Sequence, residues 1–261
     1  MNDSWNSGDP YEYFMGRWST LMAPVFLNWL NHSPDKKWLD IGCGTGALSE
    51  AIEQYCSPQS ISCVDPSEAF VEKVKERVTS KGIFKVGTAE NIPIENDSID
   101  LIVSGLALNF FPNLDSALNE MKRVSKSNGI IAAYVWDYAG RMDFLRYFWD
   151  EAYQIDPESE HLDEGKRFSI CNEISLATSF KNAGLVDIAT TKLDIDTVFM
   201  NFDDFWNPFL GGQGPAPSYL TTLSEDKKIA LQNNIHKKLS VASDGSIKLT
   251  GRALAVQGRC K

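Results

Sequence analysis

Apolar and polar positions follow two rhythms along this 261-residue chain, and the first half keeps them most regularly. Residues 21–31 set Leu21, Val25, Phe26, Trp29 and Leu30 at helical spacing, and Pro34-Asp35 then turns the chain. Trp38-Leu39-Asp40-Ile41 reads as a short buried strand broken by glycines, after which Leu48, Ala51, Ile52 and Tyr55 share one face of a helix. Residues 60–64 predict a second strand, stopped by Asp65-Pro66. Ser67 is a good N-cap for a helix carrying Phe70, Val71, Val74 and Val78, which closes at Lys81-Gly82. Strands are expected over 83–86, 100–104 and 130–135, with an amphipathic helix over 114–124 that stops near Asn128-Gly129. Strands that alternate with helices and read as apolar runs argue for a parallel sheet covered on both faces.

Beyond Trp136 the rhythm changes. Residues 141–153 and 172–182 predict helices around an acidic loop at 156–164, and 185–194 and 247–258 are strand-like. Residues 201–246 are expected to form a helical insertion between the last two strands. The length suits one α/β domain, here 36–261, behind an N-terminal segment 1–35.

The net charge of −10 narrows the partners. A protein that grips nucleic acid needs a basic stripe to neutralise phosphates, and no Lys/Arg run occurs here. Nucleic acid and anionic membrane are therefore disfavoured as partners. The five cysteines are scattered and never form a C-x-x-C pair, which argues against both a disulfide framework and a zinc site. The sequence shows no basic region followed by an apolar leader, and no apolar run near the ~18 residues of a membrane span. The expectation is a soluble, reduced, cytoplasmic protein without a metal.

Candidate chemistry begins at Asp40-Ile41-Gly42-Cys43-Gly44-Thr45-Gly46. Glycines at a strand-to-helix turn let backbone approach a ligand, and ligands of open α/β sheets lie at the carboxyl ends of the strands. Asp40 can accept from an ammonium while the helix N-terminus favours a carboxylate, as in the methionyl end of S-adenosylmethionine. The same residues satisfy the dinucleotide fingerprint G-x-G-x-x-A, so NAD remains open at this point. Asp65, about 20 residues on, suits ribose hydroxyls of either cofactor.

The next segment separates the two. Gly87-Thr88-Ala89-Glu90-Asn91-Ile92-Pro93 precedes Asn96-Asp97-Ser98-Ile99-Asp100-Leu101-Ile102, and Asn128-Gly129 precedes the fifth strand. Taken in order from Trp38 to Trp136, these pieces resemble the class I S-adenosylmethionine-dependent methyltransferases (type 11). The likeness is strongest to the small-molecule group that includes ubiquinone and menaquinone biosynthesis enzymes. The resemblance implies a Rossmann-like three-layer α/β sandwich, with a mostly parallel seven-stranded sheet, an antiparallel last strand and the helical insertion. It also implies roles. Asp40, Gly42 and Gly44 would line the methionyl portion, Asp65 would hold the ribose, and Pro66 or Ser67 would flank the adenine. Ala89 and Glu90 would approach the adenine edge, and Ser104, Leu106 and Asn109 would lie near the methyl group. Arg17, within Tyr13-Phe14-Met15-Gly16-Arg17-Trp18, would pair with the cofactor carboxylate.

The segment after strand four disfavours several acceptors. Ser104-Gly105-Leu106-Ala107 is not the N/D-P-P-Y/F of amino-methylating DNA enzymes, and no Pro-Cys nucleophile, magnesium carboxylate cluster or reactive thiol set occurs. Cys43 reads as a small packed side chain, and His32, His161 and His236 read as surface residues. Trp136, Phe209 and Gln213 are candidates to line an acceptor pocket, Phe209 just ahead of the Gly/Pro-rich stretch 211–217 and Gln213 within it. Methyl transfer by in-line displacement asks mainly for alignment of the two reactants, so no catalytic residue is named. The rivals are an NAD(P)-dependent oxidoreductase, which lacks an evident Tyr-x-x-x-Lys, and a non-catalytic S-adenosylmethionine-binding protein.

Overall fold

The computed structural model describes residues 12–79, 82–211 and 214–261. Seven strands form one mixed, mostly parallel sheet in the order β3-β2-β1-β4-β5-β7-β6. They are β1 (Lys37–Ile41), β2 (Ser60–Asp65), β3 (Gly82–Val86), β4 (Ile99–Gly105), β5 (Ser125–Trp136), β6 (Val186–Phe199) and β7 (Ile247–Arg259). The pairings β1·β2, β1·β4, β2·β3 and β4·β5 are parallel. The Rossmann-like sheet expected from the sequence is therefore present. Its last two strands distinguish it from the dinucleotide-binding order 3-2-1-4-5-6, because β7 lies between β5 and β6.

Contacts divide the chain into two compact units. One comprises Ser19–Val135, Ile170–Leu193 and Ala253–Lys261. Helices α1 (Arg17–Leu30), α2 (Ala47–Tyr55), α3 (Glu68–Arg77), α4 (Leu114–Val124) and α6 (Glu173–Asn182) supply its helical layers, with α1 entering from Ser19. Each helix starts or stops where its local chemistry dictates. Ser67 caps α3 by accepting from the Phe70 N–H (3.4 Å), and Asn113 and Asn172 do the same for α4 and α6. The amphipathic face of α4 buries Ala117, Leu118, Met121 and Val124. Trp38, Leu39, Ile102, Val103 and Ala132 fill the sheet centre, and Phe26 lies 4.6 Å from Tyr134, ring to ring.

Two elements depart from the expected boundaries. Asn128-Gly129 does not sit ahead of β5 but inside it. Ile99 pairs with Ser125 while Leu101 pairs with Ile130, so Asn128 (φ 64°) lies in a bulge. Strand β6 runs on to Phe199, because Leu193, Ile195, Thr197 and Phe199 are buried while Asp194, Asp196 and Val198 face outward. That is the alternation of a half-buried strand, and the aspartates mark its outer face.

The other unit comprises the described residues up to Trp18, with Trp136–Ser169 and Asp194–Arg252. Its helices are α5 (Asp143–Ile155), α7 (Pro215–Thr222) and α8 (Glu225–Lys238), with short turns at Glu164–Arg167 and Phe202–Trp206. The core is aromatic. Phe148 and Phe209 stack at 4.7 Å, Phe14 and Phe144 meet Phe209 edge-on or tilted, and Phe205 packs on Phe199. Among the described residues no helix is long and apolar enough to cross a membrane.

Candidate functional site

The turn between β1 and α2 is held by backbone bonds to β2. The Gly42 and Cys43 N–H groups donate to Val64 O at 2.8 and 3.2 Å, and the Gly46 N–H donates to Cys43 O at 2.9 Å. Gly42 must be glycine for two reasons: its φ is 69°, and a Cβ there would lie 2.6 Å from the Ala107 Cβ. Gly44 also has positive φ (52°), but a Cβ there would meet no atom within 4 Å. The turn therefore closes tightly on the protein at Gly42 and presents open space at Gly44.

Two buried carboxylates flank that space. Asp40 Oδ2 accepts from Ser49 Oγ at 2.6 Å, whereas Asp40 Oδ1 is buried with no partner. Burial pushes the Asp40 carboxyl up to about 7, opposed by the Ser49 bond and reinforced by the nearby Asp65 charge. Asp65 accepts from the Gly44 N–H through Oδ2 (3.0 Å) and from the Ser67 N–H through Oδ1 (2.9 Å). Its carboxyl is also raised, by burial, with those two bonds pulling the other way. An unpaired oxygen on a buried acid costs free energy unless something donates to it. A ligand ammonium is such a donor, and each Asp65 oxygen retains a lone pair for a ligand hydroxyl. The donor set thus fits an amino acid attached to a ribose.

Further unpartnered polar atoms lie at the carboxyl end of β4. Ser104 Oγ is fully buried without a partner, and both amide atoms of Asn109 are likewise buried and unbonded. Leu106 (φ 60°) donates its N–H to Tyr134 O at 2.8 Å, which fixes the start of this loop. Beyond β3, the Asn91 N–H donates to Thr88 O (3.2 Å) and closes a turn with Ala89 and Glu90 at its tip. Ala89 is buried. The Glu90 carboxylate accepts from the Asn113 N–H at 3.1 Å, so its side chain is tied to the start of α4. Pro66 is exposed after β2.

Other predicted residues have different surroundings. Arg17 donates to Asp204 Oδ1 (2.9 Å) and Asp204 O (3.4 Å) and lies over the rings of Trp18 and Phe199. A ligand carboxylate would have to compete with Asp204 for it. Phe209 is fully buried in the aromatic core described above. Trp136 is also fully buried, at the end of β5. Gln213 lies outside the described residues. Cys43 is a packed thiol, as expected; a hydrogen bond with Cys63 and burial both push it well up. His32 and His236 each meet an aromatic ring, Trp38 and Phe202 respectively. Among the described residues no three of His, Cys, Asp and Glu converge as metal ligands.

Local sequence did not flag Ser49, Glu120 or Arg123. Ser49 looks like any small residue on a buried helix face, and its only signal is its place one turn inside α2. Glu120 and Arg123 read as a routine surface pair, yet they bond to a loop nearly thirty residues upstream.

Comparison with known proteins bears on the fold that carries this site. The family model described as "Methyltransferase domain" matches residues 39–133, the segment that holds the glycine turn, both carboxylates and the Asn109 loop. A demethylmenaquinone methyltransferase of Staphylococcus aureus is 26% identical over 165 residues, covering 58% of this chain and 68% of that protein. Among solved structures, a methyltransferase-like protein of Bacillus halodurans superposes with a TM-score of 0.59 at 14% identity, covering 91% of this chain and 97% of that one. Haemonchus contortus phosphoethanolamine N-methyltransferase 2, in complex with S-adenosyl-L-methionine, gives 0.57 at 16% identity over 97% of this chain and 56% of its own. The fold is that of the class I methyltransferases.

Proposed function

We propose that this chain is an S-adenosylmethionine-dependent methyltransferase acting on a small molecule. The observation that carries the reading is the unpaired oxygen of buried Asp40, set beside Asp65 and a glycine turn that opens at Gly44. S-adenosylmethionine supplies, when bound, a methyl group already activated on a sulfonium. Asp40 would accept from its ammonium, and the first N–H groups of α2 would face its carboxylate. Asp65 would accept from the ribose hydroxyls, Pro66 would flank the base, and the Ala89-Glu90 tip would run along the base edge. Ser104, Leu106 and Asn109 would border the methyl group, with the Asn109 amide offering one donor and one acceptor toward an incoming substrate. The chain's contribution to rate is then alignment of the two reactants and exclusion of water.

A dinucleotide fits less well. Its pyrophosphate would bring negative charge to a turn that already holds two buried acids, and the sheet order differs from the dinucleotide-binding one. The net charge of −10 supports a small acceptor over nucleic acid. Relatives in quinone methylation make a demethylated quinone one natural member of a screening panel. The test is transfer of labelled methyl from S-adenosylmethionine to a metabolite panel that includes phenols, amines and quinols. Label appearing in one acceptor supports the reading. Cofactor binding without transfer to any acceptor favours a non-catalytic binding protein instead.

A further inference from the structure

We infer that Glu120 and Arg123 are positioning residues that set the base-recognition turn of the proposed cofactor site; this rests on the S-adenosylmethionine reading above. Both lie on α4, beside the face buried through Ala117, Leu118, Met121 and Val124. An ordinary i,i+3 pair on a helix surface contributes little. This one is engaged at both ends. Arg123 Nε and Nη2 each donate to one oxygen of Glu120 at 2.7 Å, a two-point pairing that fixes the guanidinium plane. The rest of the fork then reaches the loop after β3. Nη2 donates to Ile92 O (2.8 Å), and Nη1 donates to Ile94 O (3.0 Å) and Asn96 Oδ1 (2.6 Å). Glu120 Oε2 accepts from the Ile92 N–H at 3.0 Å, so Ile92 is gripped by both of its backbone polar groups.

The position of Ile92 gives the grip its meaning. It follows directly on the Thr88–Asn91 turn whose tip carries Ala89 and Glu90. The other side of that turn is tied to the same helix, through Glu90 and the Asn113 N–H. The sheet side ties this loop at its two ends, through the Gly87 N–H to Asp65 O (3.1 Å) and Lys85 Nζ to Pro93 O (2.7 Å), and α4 ties the turn itself from two points. Pairing with Arg123 holds the Glu120 carboxyl below its ordinary range, so the clamp stays charged at neutral pH. Lysine cannot replace Arg123, because a point charge cannot serve Glu120 and several oxygens of the loop in one plane. A rigid turn can tell adenine from a base with a different donor–acceptor edge; a loose one adapts to both.

The test compares binding of S-adenosylhomocysteine and S-inosylhomocysteine, which differ at the six-position of the base, by calorimetry on the full chain. The variants are Arg123→Met, Arg123→Lys and Glu120→Gln, with hydrogen exchange at residues 88–96 as a second readout. Arg123→Met is expected to weaken S-adenosylhomocysteine about ten-fold and to narrow the adenine preference by a similar factor. Exchange at the loop should rise at the same time, and Arg123→Lys should not restore the preference. If Arg123→Met does not fold, Glu120→Gln, which keeps side-chain size, must show the same narrowing. An unchanged preference ratio, or equal weakening of both nucleosides, overturns the clamp. A wild-type chain that binds neither nucleoside overturns the cofactor reading and the clamp with it, and so the two failures are distinguishable.

Discussion

Two clusters of buried acids in this molecule look alike by charge and differ in their partners. In the unit containing α5, Asp163 receives both terminal nitrogens of Arg146 (2.6 and 2.9 Å) and the Gly165 N–H, and Glu164 accepts from the Trp149 indole N–H at 2.6 Å. In the sheet unit, Asp40 keeps one oxygen with no donor and the described structure sets no cation against it. Burial raises Glu164 to about 7, the same value as Asp40. A perturbed carboxyl therefore does not by itself mark a ligand site. The two clusters differ in which oxygens lack a donor: the Asp163 and Glu164 bonds are met within the chain, whereas Asp40 Oδ1 has none, which is what the cofactor site proposed above requires.

The largest expected contrast comes from breaking the Asp163–Arg146 pair. Asp163→Ala strands the largely buried Arg146 guanidinium, and stability should fall by about 3–5 kcal/mol in urea denaturation. Asp40→Asn should do the reverse. An amide can still accept from Ser49, so the fold persists, but an NH2 then faces the ligand ammonium. S-adenosylhomocysteine affinity should drop by about 1.5–3 kcal/mol, roughly ten- to a hundred-fold, read by calorimetry. Equal losses of stability in the two variants would erase the distinction between the clusters.

Smaller effects sharpen it through pH. The folded Asp40 carboxyl holds its proton up to about 7, against an ordinary value near 4. Its contribution to the stability of the free chain is thus full below about pH 4 and lost as pH rises through 7. Ligand binding wants the ionised form, so affinity should rise about ten-fold from pH 6 to 8 and then level off. Asp40→Asn should flatten that profile. The smallest effect is expected from Glu164→Gln, which removes the burial cost of a charge with no ligand to serve. Its unfolding free energy should rise by about 1 kcal/mol at pH 8 and change less at pH 5, with cofactor affinity unchanged at both.

Much of the sheet could be read from the sequence because the pattern there is local. Apolar runs bounded by Gly, Pro and capping residues placed β1 to β4 and α4 within a residue or so, and Ser67 caps α3 as its hydroxyl predicts. The Asn128-Gly129 bulge was not legible, because a bulge depends on register against β4 rather than on the residues themselves. Asp100 shows the limit at the site. The motif names it, yet it accepts from the Lys37 N–H and pairs with Lys126 (both 2.9 Å) at the amino end of the strands, away from the glycine turn. The packing of Phe209 against Phe14, Phe144 and Phe148 was not legible either, because it is long-range packing that spacing does not encode. Ser49, Glu120 and Arg123 were missed for the same reason. Their partners are distant in sequence or lie on another element.

Calorimetric titration of the wild-type chain and Asp40→Asn with S-adenosylhomocysteine, and in parallel with NAD, tests the central claim most directly. The unpaired Asp40 oxygen predicts one site for S-adenosylhomocysteine on the wild type, binding at least about ten-fold weaker on the variant, and none for NAD. Binding of NAD in place of S-adenosylhomocysteine, or equal S-adenosylhomocysteine affinity for both proteins, would contradict it.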